Sequence, residues 1–229
     1  MSVILNIDTA TDIAHISLSK AGILLDSLTN KDQKDHGNFL QPAIQQLLKN
    51  NFISIQELDA IAISAGPGSY TGLRVGMASA KGLCFALQKP LITISSLEII
   101  AYAAILEAAL PTDSTEILFC PMIDARRMEV FTALYSLELE TVLEPTALVI
   151  DHDSFGKYLL ENKIFFVGNG AAKWELICKN TNALFPSNES NPLAMNKLSF
   201  KKYENKDFTD LAYSEPSYLK EFFEGNKPS

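Results

Sequence analysis

A glycine-rich turn sets the strongest limits on how this chain folds. Residues 59–65 are almost all apolar, which is typical of a strand buried on both faces of a sheet. Gly66-Pro67-Gly68 follows at once, and residues 71–88 then carry apolar side chains at helical spacing. A buried strand that leads through a tight turn into a long helix predicts an α/β fold.

The two halves of the chain show a similar order of predicted elements. The strand patterns Val3–Asp8 and Ile117–Asp124 both end in Ile-Asp, and a second strand follows each of them. Either a weak internal duplication or two generic α/β units would give this pattern. We expect two lobes, residues 1–110 and residues 111–229, with a polar tail over the surface after Pro186 and the last helix returning to the first lobe.

Charge and composition restrict the class of protein. The chain of 229 residues has 19 basic and 27 acidic side chains and a net charge of −8, which disfavours a stand-alone nucleic-acid binder. The longest apolar stretch, residues 99–110, is shorter than the roughly 20 residues that a transmembrane helix needs, and the N-terminus lacks the pattern of a secretory signal. The three cysteines have no C-x-x-C spacing. We therefore expect a cytoplasmic protein without disulfides or membrane contact.

The helix pattern at residues 71–88 has two apolar stripes, although a surface helix usually needs only one. Glycine in a helix interior costs roughly 1 kcal/mol relative to alanine, so Gly72, Gly76 and Gly82 together predict a close backbone approach. We infer that one face packs on the sheet. The other face is expected to meet a second helix, either within this chain or from another one.

Several residues at strand ends have the chemistry for a phosphate or metal site. Asp8 and Asp124 each end a strand, where a carboxylate can hold magnesium, although such aspartates also form turns. A hairpin that wraps a phosphate needs glycine after the aspartate, and neither aspartate has one. Gly168 and Gly170 form a Gly-x-Gly turn that suits either adenosine binding or plain tight packing.

The three arginines of the chain all lie in these segments. Arg74 follows the glycine-rich turn, and Arg126 and Arg127 follow Asp124. Arginine pairs with carboxylate or phosphate through two parallel hydrogen bonds, so we expect fixed structural or interface ion pairs.

Patterns of several common catalytic sites are missing from the sequence. The three histidines lack the spacing of a metal site on one helix face. Neither the P-loop pattern nor the Gly-x-Ser-x-Gly pattern of serine hydrolases occurs. We therefore predict no metal site and no catalytic triad.

Six motifs span nearly the whole chain. They are Ile4-Leu-Asn-Ile-Asp-Thr-Ala-Thr11, Gly66-Pro-Gly-Ser-Tyr-Thr-Gly-Leu-Arg-Val-Gly76, Ala80-Lys-Gly82, Ser95-Ser-Leu-Glu98, Asp124-Ala-Arg-Arg127 and Pro216-Ser-Tyr-Leu219. In this order they closely resemble the TsaB (YeaZ) family. The glycine-rich turn and its helix are shared with the related TsaD family, whereas the Asp-Ala-Arg-Arg motif and the Tyr-Leu ending are similar to TsaB alone. The His-x3-His that supplies the catalytic metal in TsaD is absent here.

The resemblance implies an actin-like (ASKHA, ribonuclease H-like) fold with two lobes, the second of them degenerate, that has lost its catalytic equipment. It implies a scaffold that is not an enzyme itself but binds and activates a TsaD-type transferase. That enzyme forms N6-threonylcarbamoyladenosine in tRNA next to the anticodon. Further implied partners are a TsaE-type ATPase, a second copy of the chain when TsaD is absent, and tRNA only through the complex.

The resemblance also assigns roles to particular residues. No cofactor is implied beyond weak ATP or ADP binding at the interface of a complex, for which Asp8, Gly168 and Gly170 are the candidates. In the family, the first two long helices join TsaD and also mediate the homodimer. The predicted interface residues on these helices are Phe39, Leu40, Ala43, Ile44, Leu47, Gly72, Leu73, Val75, Gly76, Met77, Ser79, Ala80 and Leu83. Structural roles are predicted for Gly66, Gly68, Arg74, Asp124, Arg126 and Arg127.

An alternative interpretation is an active small-molecule kinase or transferase of the same fold. Asp8 and the two glycine turns favour it, whereas the missing glycine after each strand-end aspartate counts against it. Metal-dependent ATP turnover by the purified chain alone distinguishes the two interpretations.

Overall fold

A computed structural model of the chain describes residues 2–32, 35–108, 116–186 and 191–220. Within them, each half of the chain forms one five-stranded sheet with helices packed on its faces. The predicted boundary between residues 110 and 111 lies outside the described residues. Within the described ranges, no helix is both long and apolar enough to cross a bilayer.

The N-terminal sheet has the strand order β3-β2-β1-β4-β5. Its strands are β1 (Val3–Asp8), β2 (Ala14–Lys20), β3 (Ile23–Asn30), β4 (Ala60–Gly66) and β5 (Leu91–Ser95). The first three strands pair antiparallel, as the short hairpin connections predicted. β4 is parallel to both β1 and β5.

The C-terminal sheet repeats this topology, with the order β10-β9-β6-β7-β8. Its strands are β6 (Ile117–Asp124), β7 (Glu129–Tyr135), β8 (Thr141–Val149), β9 (Lys163–Val167) and β10 (Ala183–Leu184). The β6-β7-β8 meander is antiparallel, and β9 is parallel to β6 and β10. The internal duplication suggested by the two Ile-Asp strand ends is therefore present in the strand order.

In the described part of the chain, six α-helices cover the sheets. They are α1 (His36–Asn50), α2 (Tyr70–Leu87), α3 (Ser96–Glu107), α4 (Gly156–Leu159), α5 (Ala171–Glu175) and α6 (Pro192–Glu204), and a 3-10 turn lies at Ile55–Glu57. α1 and α2 share one hydrophobic cluster with the N-terminal sheet, and α3 and α6 share another on its opposite face. α3 also packs on the C-terminal sheet, whose far face is covered by α4 and α5. α3 therefore lies between the two sheets.

Alternation along β4 explains how both faces of the N-terminal sheet are covered. Ile61 and Ile63 point into the cluster with α1 and α2, whereas Ala60 and Ala62 point toward α3 and α6. All four side chains are fully buried. The small alanines leave room for helices to approach that face closely.

The helix α6 corrects an expectation about the polar tail. Instead of a surface wrap after Pro186, the chain forms a helix that packs Ala194, Met195 and Leu198 on the N-terminal sheet. The Ser17 hydroxyl donates to Asn196 Oδ1 at 2.7 Å, and both side chains are buried. This bond joins two polar side chains inside the core, so this part of the helix leaves no continuous apolar signal in the sequence.

Two of the three cysteines lie in the cores. Cys84 lies on the buried face of α2, and Cys120 is buried in the C-terminal sheet. Cys178 is partly exposed. Burial raises the pKa of the Cys84 thiol to about 12 and also raises the pKa of Cys120. Both buried thiols therefore stay protonated at neutral pH.

Candidate functional site

The glycine-rich turn packs against the connection between β1 and β2. The Ser69 amide donates to the Ala10 carbonyl at 2.7 Å, and the Thr9 hydroxyl donates to the Gly72 carbonyl at 2.8 Å. A Cβ atom at Gly68 or Gly72 would collide with the carbonyl oxygen of Ala10 or Thr9. Close approach of the chain's own backbone therefore accounts for these glycines, which is the structural alternative to a phosphate site.

Asp8 ends β1 as predicted, and its carboxylate forms a turn. Its Oδ1 accepts the Ser64 hydroxyl at 2.6 Å and the Ala10 amide at 3.1 Å. The second bond is the usual link from an aspartate side chain to a backbone amide two residues later. The same bond closes the connection between β1 and β2 beneath the glycine-rich turn.

Asp124 occupies the equivalent position at the end of β6. Its Oδ1 accepts the Arg126 amide at 2.6 Å and the Lys173 ammonium at 2.7 Å. Partial burial raises the pKa of Asp124, but the bonds from Lys173 and Arg126 outweigh it and hold that pKa below its ordinary value. Asp124 is therefore a turn-forming carboxylate in an ion pair. Among the described residues, no cluster of three or more histidine, cysteine, aspartate or glutamate side chains is arranged to hold a metal ion.

Asn169 links the two aspartate turns, although the sequence motifs did not single it out. Its Nδ2 donates to Asp12 Oδ2 at 3.1 Å, and its Oδ1 accepts the Asp124 amide at 2.9 Å. Asp12 belongs to the N-terminal lobe and Asp124 to the C-terminal lobe. One amide side chain therefore connects the lobes at the point where both strand-end turns meet.

The glycines on either side of Asn169 pack against the end of β6. Gly168 has a φ of 93°, and a Cβ atom there would collide with the Met122 carbonyl. A Cβ atom at Gly170 would lie 3.0 Å from Val130 Cγ1 and 3.1 Å from the Asp124 nitrogen. The tight-turn interpretation therefore explains both glycines of this motif.

Arg74 anchors the C-terminal segment and forms no ion pair within the described residues. Its guanidinium carbon lies 3.9 Å from the centre of the Tyr70 ring, and its Nε donates to the Tyr218 hydroxyl at 3.1 Å. Arg126 and Arg127 have exposed side chains and positive φ angles of 71° and 50°. In the part of the chain that the structure describes, neither forms an ion pair. The expected structural ion pairs are thus not formed within the described ranges, and pairs with a partner stay a prediction.

These turns line a cleft of about 930 Å³ between the lobes. Residues 217–220 run along it. The Ser217 amide donates to the Ala65 carbonyl at 2.7 Å in the N-terminal lobe, and Lys220 pairs with Glu129 at 2.6 Å in the C-terminal lobe. The last described residues therefore hold the two lobes together along the cleft.

Comparison with known proteins identifies the family. A family model described as "TsaD: tRNA N6-adenosine threonylcarbamoyltransferase" matches residues 24–220. The "tRNA threonylcarbamoyladenosine biosynthesis protein TsaB" of Escherichia coli (strain K12) is 28% identical over 95% of this chain and 94% of its own length. A structure described as "YeaZ from Pseudomonas aeruginosa" is 26% identical, with a TM-score of 0.79 over 96% of this chain and 100% of that one. The chain belongs to the TsaB (YeaZ) branch of this family.

Two further comparisons support the assignment and the fold. The TsaB of Bacillus subtilis (strain 168) is 34% identical, and the match spans 58% of this chain and 54% of that protein. An inorganic polyphosphate/ATP-glucomannokinase from Arthrobacter has a TM-score of 0.50 at 11% identity, over 90% of this chain and 100% of that one, which is a likeness of fold alone. The predicted actin-like (ASKHA) fold is confirmed.

The structure buries most of the residues that were predicted to form the partner surface. Nine of the predicted interface residues are buried within this chain: Leu40, Ala43, Ile44, Leu47, Gly72, Leu73, Gly76, Met77 and Ala80. Phe39, Val75, Ser79 and Leu83 are half-buried. The reason is that the strongest apolar stripe of each helix is the one that packs on its own sheet.

The solvent side of α2 carries a different set of residues. Ala78, Gly82, Phe85 and Ala86 are exposed, and Phe85 is 73% exposed. Nothing lies within 4 Å of the position that a Cβ atom on Gly82 would take. We call these four residues, with the half-buried Val75, Ser79 and Leu83 beside them, the outer face of α2. The exposed side of α1 is polar by contrast and carries Gln41, Gln45, Gln46 and Lys49.

Proposed function

We propose that this protein is a non-catalytic subunit that binds and activates a TsaD-type threonylcarbamoyl transferase, which forms N6-threonylcarbamoyladenosine in tRNA. Membership of the TsaB branch supports this role, as do relatives named for biosynthesis of the same modified nucleoside. The structural observation that carries the proposal is the uncovered apolar outer face of α2.

The outer face of α2 has the composition of a helix-docking surface. Ala78, Gly82 and Ala86 recur every four residues and form a ridge of very small side chains along the exposed helix. Small side chains let the axis of a second helix approach closely. Phe85 stands beside this ridge with most of its ring in solvent, and aromatic side chains are enriched in protein interfaces. A helix from a TsaD-type subunit, or α2 of a second copy, covers this face.

The aspartate turns favour the non-catalytic role over the kinase or transferase alternative. Asp8 is engaged by Ser64 and Ala10, and Asp124 is paired with Lys173. The glycines near them are explained by contacts within the chain. An active enzyme would show metal-dependent ATP turnover, or threonylcarbamoyl transfer, when purified alone.

The remaining parts of the proposal concern the assembled complex. Weak ATP or ADP binding stays assigned to Asp8, Gly168 and Gly170, whose turns lie beside the cleft between the lobes without lining it. A TsaE-type ATPase joins the complex, and two copies of this chain pair through α1 and α2 when the transferase is absent. The net charge of −8 supports recruitment of tRNA through the partner, since this chain repels a phosphate backbone.

Substitution of Gly82 tests the interface without disturbing the core. Gly82→Glu puts a charge in the middle of the outer face of α2, where the side chain has open space in the isolated chain. We expect binding to the TsaD-type subunit to weaken at least about 30-fold, as for loss of an interface hot spot. Calorimetric titration measures the affinity, and light scattering measures the homodimer.

A matched control uses another exposed position. Leu176 is 86% exposed in the C-terminal lobe, so Leu176→Glu also adds one negative charge to the surface. It should leave both associations unchanged. If Gly82→Glu keeps wild-type affinity and circular dichroism shows that it is folded, the outer face of α2 is not the interface.

A further inference from the structure

A second cavity lies beside the contact between Asn169 and Asp12. It has a volume of about 230 Å³ and is enclosed by β2, α3, α6 and the turn at Gly168. The glycine-rich turn and Asp124 line the larger cleft and do not line this cavity. An engineered cavity of about 150 Å³ holds benzene. This one therefore has room for an aromatic ring with one or two further groups.

The walls of the cavity are mostly apolar. One face of α3 contributes Ile99, Ile100 and Ala103, and Met195 of α6 and Ile13 lie around them. The α3 residues follow Ser96 at helical spacing, so a single face of that helix forms the wall. An apolar wall of this kind predicts an apolar body for the ligand.

The other end of the cavity is polar and negatively charged. Asp8 and Asp12 line it together with His15 and Ser17, and no lysine or arginine does so among the described residues. Burial lowers the pKa of His15 below its ordinary value of 6.5, and Lys31 lowers it further, against the opposing effect of Asp8. The imidazole is thus mainly neutral at neutral pH, and the two carboxylates set the charge of this end.

A buried hydroxyl lies at the same cavity. Ser96, the first residue of α3, is 2% exposed and lines the cavity. Within the described residues its Oγ forms no hydrogen bond. Buried polar atoms are almost always paired, so an unpaired one beside a cavity indicates a group that a bound molecule satisfies.

We propose that this cavity binds a small organic cation, an ammonium group attached to an aromatic or branched apolar body. The apolar body lies against α3 and α6, and the ammonium group lies among the carboxylates and the Ser96 hydroxyl. The amino end of α3 has a partial charge of roughly +0.5, which two full carboxylate charges outweigh. A phosphate-bearing ligand would meet two carboxylates and no cation.

Three probes of similar size and different charge test the proposal on the full chain. Benzylamine, benzyl alcohol and benzoate share one ring and differ in the attached group. We expect saturable binding of benzylamine by calorimetry or ligand-detected magnetic resonance, weaker binding of the alcohol, and none of benzoate. Absent binding of benzylamine, or equal binding of all three probes, overturns the proposal.

Two variants identify the groups that recognise the ammonium ion. Ser96→Ala should weaken benzylamine binding roughly tenfold, because a hydrogen bond to a charged group is lost. It should leave the melting temperature unchanged or raised, because the unpaired hydroxyl is removed. Asp12→Asn should reduce the preference for amine over alcohol, and Asp153→Asn, at an exposed aspartate outside the cavity, should not. Unchanged benzylamine affinity in folded Ser96→Ala would also refute the assignment.

Discussion

Two glycines of α2, Gly76 and Gly82, should respond in opposite ways to alanine. Both lie in the helix interior, where alanine is favoured over glycine by roughly 1 kcal/mol. At Gly82 nothing opposes this gain, because the new methyl group enters open space. We expect Gly82→Ala to raise the free energy of unfolding by about 0.5–1 kcal/mol and the melting temperature by about 1–4 °C.

At Gly76 the same methyl group meets the connection between β1 and β2. A Cβ atom there would collide with the Thr9 hydroxyl oxygen and lie 2.9 Å from Ile63 Cδ1. Overpacking of a core costs about 1–3 kcal/mol, and displacement of the hydrogen bond from Thr9 to the Gly72 carbonyl adds about 1 kcal/mol. After the helix gain of roughly 1 kcal/mol is subtracted, we expect a net loss of about 1–3 kcal/mol.

Urea unfolding followed by circular dichroism measures both variants. Repeating it at several protein concentrations separates any contribution from dimerisation. The double variant Thr9→Ala/Gly76→Ala should lose less free energy of unfolding than the two single variants lose together, because the collision with the hydroxyl is removed. A Gly76→Ala protein as stable as Gly82→Ala would refute the packing of α2 on this connection.

Three further predictions concern side chains away from that contact. Arg74→Ala should speed amide exchange in residues 217–220 with little change in global stability, because the cation–π contact and the hydrogen bond of Arg74 lie at the exposed surface and contribute little. The pKa of Asp124 is lowered in the folded protein, so the stability that this carboxylate contributes is present above its ordinary pKa of 3.8 and is lost as pH falls below that value. Lys173→Met should therefore destabilise the protein at neutral pH, and the difference from the wild type should shrink progressively as the pH falls below 3.8, as measured by urea unfolding. Among the cysteines, only Cys178 should react with a thiol reagent in the native state, and mass spectrometry should find one label per folded chain.

Sequence patterns predicted the strands well, because alternation marks the strands of the opening meander and a nearly continuous apolar run marks β4, which is covered on both faces. The strand ends at Asp8 and Asp124 were placed correctly for this reason. The bounds of α6 were not predicted, because this helix buries Asn196 and Ser199 beside its apolar residues and no continuous stripe marks it.

The residues of the partner surface could not be read from periodicity. An apolar stripe indicates that a helix face is covered, but not by what. In α1 and α2 the stripes around Leu40 and Leu73 are covered by the chain's own sheet. Ala78 and Gly82, which are exposed, carry too little apolar surface to form a hydrophobic stripe in the sequence pattern. The bridging role of Asn169 was equally invisible, since asparagine between two glycines is ordinary turn composition.

The position of α6 has a consequence for synthesis of the chain on the ribosome. This helix covers one face of the N-terminal sheet but begins roughly 85 residues after α3 ends. At the usual rates of translation, about 4 to 17 seconds pass before α6 can cover that face. During this interval an apolar patch is exposed on the nascent chain, formed by Ile4, Ile92 and the α3 residues Ile99 and Ala103. Chaperones that bind emerging polypeptides should therefore meet this lobe late in elongation.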